Sequence, residues 1–181
     1  MLSPEQRTTL LGIARQTIRS ALEGSDPRRS TPPADPALLR PAGCFVTLHT
    51  REGELRGCIG SIRPVAPLVE AVVSSALNAA FRDPRFPAVR TDELDDLRIE
   101  ISVMGPIEQV TDLESIVVGR DGLIISKGHY AGLLLPQVAT EYGWDRETFL
   151  SQTCMKAGLP PSAWRNRDTR IEKFSAEVFS E

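Results

Sequence analysis

The sequence predicts an α+β fold, a mainly antiparallel sheet packed with helices. Helical and strand periodicities are interspersed along the chain, and most strand connections read as short Gly-containing turns, which join antiparallel neighbours. Gly119 and Gly122 flank a turn but fit no phosphate-loop pattern, so a nucleotide-cofactor fold is not supported. With 181 residues, 41% hydrophobic and 25% charged, the chain reads as one packed domain, 1–181, rather than a disordered or fibrous polymer.

Ser3-Pro4-Glu5-Gln6 supplies a capping residue, a proline for the first helical position and a capping-box Gln. A helix is expected from here to about residue 22, carrying Leu10, Ala14, Thr17, Ile18, Ala21 and Leu22 on one side, with Gly24 as its stop. Residues 25–41 hold five of the 14 prolines and the pair Arg28-Arg29, and read as a surface linker.

Two strands, 44–50 and 55–61, flank Arg51-Glu52-Gly53-Glu54 as a hairpin. With Glu52-Gly53 at the turn, His49 falls opposite Arg56, Thr47 opposite Cys58 and Phe45 opposite Gly60. Val46, Leu48 and Ile59 then share the other face with Gly57. Burial selects that parity, because a one-residue slip mixes aliphatic and charged neighbours. Cys44 and Cys58 point to opposite sides, which argues against a bridge between them.

Pro67 opens a second helix with Leu68, Val72, Ala76 and Ala79 in one stripe, ending before the loop Phe81 to Pro87. Residues 98–104 alternate as a strand with Ile99, Ile101 and Val103 inward. Residues 116–118 and 123–126 read as another hairpin, and 133–135 as a buried strand before Pro136. Asp145 caps a helix that Gly158 ends, with Trp144 stapled onto Phe149 and Cys154 buried on its apolar stripe. Phe174, Ala176 and Val178 mark a last strand.

The function classes narrow by charge and composition. The net charge of −3 gives no general field for a polyanion, so nucleic-acid binding, resting on Arg56, Arg63, Arg82 and Arg85 alone, comes last. No apolar run is long enough for a membrane span and no export signal is evident, which makes a cytoplasmic location the expectation. Three cysteines without C-x-x-C spacing and two histidines support neither a disulfide scaffold nor a metal site, and no cofactor is expected.

Cys58, with Arg56 two residues back on its strand and His49 diagonally across, is a candidate reactive thiol, since a nearby cation favours thiolate. The alternative is a small side chain filling a gap that Gly57 and Gly60 leave for close packing. Arg85, on a turn stiffened by Pro84 and Pro87, suits capture of a carboxylate or phosphate, or else an ion pair with Asp83 or Glu100. Glu100, on the polar face of its strand, is a candidate base or a solvated carboxylate.

Leu55-Arg56-Gly57-Cys58-Ile59-Gly60, Asp83-Pro84-Arg85-Phe86-Pro87, Ile99-Glu100-Ile101-Ser102-Val103, Gly132-Leu133-Leu134-Leu135-Pro136-Gln137-Val138 and Lys156-Ala157-Gly158-Leu159 occur in the order seen in the AMMECR-type family, also called AmmeMemoRadiSam system protein A. The chain resembles that family from Leu10 nearly to Glu181. The resemblance implies two lobes with a cleft near the L-R-G-C-I-G hexapeptide, and an association with Memo-like and radical-SAM proteins. It raises Cys58 and Glu100 as catalytic candidates and Arg56, Gly57, Gly60, Asp83, Arg85 and Gln137 as substrate-binding candidates. Two functions follow as expectations: a Cys-dependent enzyme or enzyme subunit acting on an anionic small molecule or a modified macromolecule, or a non-catalytic module that presents substrate or docks on those partners.

Overall fold

The first helix starts where its capping residues place it. In a computed structural model, which describes residues 1–26 and 33–181, α1 spans Pro4–Leu22 and both halves of the capping box form: Ser3 Oγ accepts the Gln6 N–H and the Gln6 side chain accepts the Ser3 N–H. Contacts within the chain divide it into two units, Met1–Met104 with Glu177–Glu181, and Gly105–Ala176.

In the first unit, β1 (Cys44–His49) lies between β2 (Leu55–Ser61) and β3 (Arg98–Met104), antiparallel to both. One face of this sheet carries Cys44, Val46, Leu48, Ile99 and Ile101, all essentially sealed from solvent. They form one core with Leu10, Ala14 and Ile18 of α1 and with Leu68, Val72, Ala76 and Ala79 of α2 (Leu68–Phe81). The aliphatic parity read from the sequence is therefore the buried one. Gly57 lies on this face for a steric reason: a Cβ there would stand 2.3 Å from the Ala79 carbonyl oxygen. The helix packs on bare backbone.

Several local expectations change. Pro67 is the N-cap of α2 rather than its first residue, and the helix includes Phe81. Of the segment read as a linker, 27–32, with Arg28-Arg29, lies outside the described residues. Its later part is not merely surface chain, because Leu38 is buried and its carbonyl accepts the Val69 N–H at 3.1 Å. The backbone polar groups at the start of α2 are satisfied there.

The second unit is a sheet in the order β6-β5-β7, with β4 also on β7. Its strands are β4 (Glu108–Gln109), β5 (Asp121–Lys127), β6 (Tyr130–Leu134) and β7 (Arg170–Ser180), whose last residues belong to the first unit. Two helices, α3 (Pro136–Glu141) and α4 (Arg146–Lys156), contribute Ala139, Phe149, Leu150 and Cys154 to a core with Leu123 and Ile125. Asp145 caps α4 by accepting the Thr148 N–H, and Trp144 packs on this core.

Residues 116–118 are not a strand. The Val117 N–H is taken by the Asp121 side chain and the Val117 carbonyl accepts from Arg120 and Asp121, closing a turn in which Gly119 holds φ at +86°. The hairpin partner of β5 is instead β6, reached through Gly128. Val178 is exposed, while Phe174 is buried and Phe179 packs on the first core. The buried side of β7 changes along its length, which breaks the simple alternation expected there.

Candidate active site around Cys58

The hairpin register puts Cys58 opposite Thr47, and Thr47 opposite Glu100 on β3. These three form a row across the sheet face that points away from the α1 and α2 core. Gly60, Phe45 and Ser102 form the next row. Two strand spacings separate the Cα atoms of Cys58 and Glu100 by roughly 10 Å.

The expected pairing of His49 with Arg56 does not form. The ladder shifts between Leu48 and His49, so His49 pairs with Leu55 and Arg56 becomes the extra residue of a bulge. The Arg56 side chain is nearly buried and its charge is used internally. Nε and Nη2 reach the Glu93 carboxylate at 3.2 and 3.1 Å, and Nη1 donates to the Pro87 carbonyl at 2.9 Å. Arg56 therefore braces the 87–93 loop rather than offering its fork to an anion beside Cys58.

β2 is an edge strand, and its exposed backbone is closed at Cys58 by side chains. After α2, Asp83-Pro84-Arg85-Phe86 makes a turn in which Phe86 N–H donates to the Asp83 carbonyl and Asp83 Oδ1 accepts the Arg85 N–H at 3.1 Å. This turn aims Asp83 Oδ2 at the Cys58 N–H, 2.9 Å away, and Arg85 Nη2 at the Cys58 carbonyl, 3.3 Å away. One acceptor and one donor thus stand where a further strand would pair.

The same two bonds explain the sulfur's neighbour. Because the Cys58 N–H and C=O point outward, the Cys58–Thr47 pair is of the non-hydrogen-bonded kind, with side chains drawn close. Thr47 Oγ1 donates to Cys58 Sγ at 3.3 Å. Cys58 is partly exposed, whereas Cys44 and Cys154 are buried. Burial pushes the Cys44 thiol up to about 11 despite the Ser75 hydroxyl beside it, and burial also raises that of Cys154.

Asp83 has a side chain only 1% exposed, yet it is charged. Arg85 binds it through Nε at 2.9 Å and Nη2 at 2.7 Å. The guanidinium beside it, aided by the backbone N–H groups of Cys58 and Arg85 against the opposing effect of burial, holds the carboxyl well below the usual carboxylate range. The internal ion pair of Arg85 is thus with Asp83 and not with Glu100. Its side chain remains half exposed and lies over the Phe86 ring, 5.4 Å from the centroid.

The structure joins Cys58, Asp83 and Arg85 by direct bonds and aligns Glu100 with them through Thr47. Glu100 is partly exposed, and its carboxylate has no ion pair among the described residues. Gly57 belongs to the helix contact and not to this face. At Gly60 a Cβ would meet the Cys44 carbonyl oxygen at 2.1 Å and the Phe45 ring at 2.6 Å, so the backbone is held tight against β1. Gln137 lies in the second unit, in the first turn of α3, where its carbonyl accepts the Thr140 hydroxyl. Residue type alone does not mark Thr47 or Glu93: hairpin register points to Thr47, and nothing local in the sequence points to Glu93. Among the described residues no three His, Cys, Asp or Glu side chains are grouped to hold a metal ion, and no helix is long and apolar enough to cross a membrane.

The AMMECR1 family model matches residues 11–179, which include every residue of this site. The chain belongs to the AMMECR1 family. A protein of Methanothermobacter thermautotrophicus is 47% identical over 99% of this chain and 96% of its own length. Protein PF1979 of Pyrococcus furiosus is 46% identical over 95% of this chain and 86% of its own. The crystal structure of the uncharacterized protein PH0010 from Pyrococcus horikoshii superposes with a TM-score of 0.82 at 46% identity, covering 96% of this chain and 90% of that one. An α+β architecture for this AMMECR1 chain is thus shared with a solved relative.

Proposed function

We propose that this AMMECR1 chain is protein A of an AmmeMemoRadiSam-type system and that its working group is the Cys58 thiol, in an enzyme or enzyme subunit acting on an anionic substrate. The observation that supports this is the treatment of Cys58 itself. Its backbone is fixed by a buried carboxylate and an arginine, its sulfur accepts a hydroxyl hydrogen bond, and its side chain stays partly open on a polar face. A cysteine that only filled a gap would need none of the three. In the reaction class this favours, the sulfur forms a bond to an electrophilic carbon, the leaving group departs with the bonding pair, and Glu100 receives the thiol proton. Arg85 is the residue left to hold the anionic part, since Arg56 is spent on Glu93.

The engagement of both arginines with internal carboxylates favours a second reading, a substrate-presenting or docking module for Memo-like and radical-SAM proteins in which Cys58 is packing. Iodoacetamide at neutral pH separates the two. In the first, Cys58 in the native chain is modified at least as fast as glutathione and far faster than Cys44 or Cys154, and Thr47→Val slows it. Modification tenfold slower than glutathione, by rough measure of a shielded thiol, would leave the docking role.

A further inference from the structure

We infer that Arg85 Nη1 and the backbone N–H of Gly60 form a seat for the carboxylate of a short anionic electrophile that reacts at Cys58, and that Asp83 is the positioning residue of this seat. The inference rests on the reading of Cys58 as the reacting group and adds the class of molecule it meets.

The seat follows from the edge of β2. Since the N–H and C=O of Cys58 face outward to Asp83 and Arg85, and the ladder from Cys44/Ser61 to Leu48/Gly57 is unbroken, the N–H of Gly60 faces outward too. It has no acceptor among the described residues. The Cys58 carbonyl that holds Arg85 Nη2 lies between the two N–H groups on this edge. Arg85 spends Nε and Nη2 on Asp83 and Cys58, so among the described residues Nη1 is the nitrogen left for a ligand on a half-exposed side chain. Two donors therefore stand along one edge, next to the residue that carries the sulfur.

Asp83 makes the seat rigid before any ligand arrives. A guanidinium pinned on two nitrogens by a buried carboxylate loses little rotamer freedom on binding an anion through the third. The pair Asp83 and Arg85 is neutral as a whole, so the attraction comes from directed hydrogen bonds rather than a broad field. Glu100, on the same sheet face and with no ion pair among the described residues, opposes a second negative charge at the far end of the ligand. The fitting substrate is thus a small monocarboxylate whose electrophilic carbon sits close to the carboxylate.

Iodoacetate against iodoacetamide tests this on the intact chain. Both alkylate sulfur in the same way: the S–C bond forms, the thiol proton is released to solvent and iodide leaves. Only iodoacetate carries the carboxylate. The ratio of iodoacetate to iodoacetamide rates at Cys58, read by peptide mass spectrometry, should exceed the glutathione ratio by about tenfold. Arg85→Gln should bring the ratio down to the glutathione value. Asp83→Asn, which keeps an acceptor for the Cys58 N–H but releases the guanidinium, should lower it, and Asp83→Glu should recover part. If the variants do not fold, the wild-type ratio decides. A wild-type ratio at or below that of glutathione, with rapid iodoacetamide modification, overturns the seat and leaves the reactive thiol standing. Slow modification by both reagents overturns both.

Discussion

Asp83 and Cys58 are 25 residues apart in the chain, yet the Asp83 carboxylate accepts the Cys58 backbone N–H at 2.9 Å. An otherwise open strand edge is closed at the one position where the strand also carries its thiol. Removing the carboxylate leaves that N–H without its acceptor and the Arg85 guanidinium with the Cys58 carbonyl in place of an ion pair. Asp83→Ala should cost about 1–3 kcal/mol, read as a shift of the urea midpoint. Loss of less than a few tenths would mean that water replaces the clamp.

The same carboxylate sets an acid limit on stability. Its folded pKa is depressed below the ordinary Asp value, so the unfolded chain binds the proton first as pH falls. The stabilisation is complete above about pH 4 and is lost as acidification approaches the folded value. Asp83→Asn should flatten the fall in unfolding free energy below that pH. An unaltered acid slope would show that other carboxylates dominate it.

Cys44 acts at the alkaline end. Its buried thiol titrates at about 11 when folded, against roughly 8.5 in an unfolded chain. The folded state therefore holds the proton longer, and stability declines as pH rises from the unfolded value towards the folded one. Cys44→Ser, which retains a partner for Ser75, should show a smaller loss between pH 9 and 11, roughly the window those two values set. Equal alkaline slopes in the two proteins would assign the effect elsewhere.

Gly57→Ala should be severe for its size. The added methyl meets the Ala79 carbonyl oxygen of α2 at 2.3 Å, and backbone cannot swing aside as a long side chain can. Overpacking of this kind costs about 1–3 kcal/mol. Gly53→Ala provides the contrast, because its cost comes from a φ of +87° with open space around it. Thermal unfolding should place Gly57→Ala below both wild type and Gly53→Ala, and a melting temperature equal to wild type would show that α2 shifts to admit the methyl.

Arg56 and Glu93 should couple in a double-mutant cycle. Both side chains are more than two-thirds covered, and two hydrogen bonds join them. Arg56→Gln and Glu93→Gln should each destabilise the chain, with a coupling of about 1 kcal/mol. A coupling near zero in urea denaturation would release Arg56 from its bracing role and return it to the candidates for ligand binding.

Much of this was legible in the amino-acid order because local rules and tertiary packing agree. The capping box at Ser3, the stripe from Leu68 to Ala79 and the alternation of Val46 and Leu48 with Thr47 each fix an element or a face through periodicity and hydrogen bonding within a few residues. The same alternation puts Cys58 opposite Thr47 on the polar side. What the order of residues left open was the destination of each charge. Arg56 and Arg85 are both cations next to short turns, and only the folded chain decides that one bonds to Glu93 from a bulge while the other, beside an edge strand, keeps a nitrogen without a partner among the described residues. That choice depends on where loops far apart in sequence come to rest, and no periodicity encodes it. The helix Pro136–Glu141 and the turn at Val117 escaped for a related reason: short elements follow from contacts made by Ala139 in the core and by Asp121 with backbone N–H groups, not from a repeating pattern of their own.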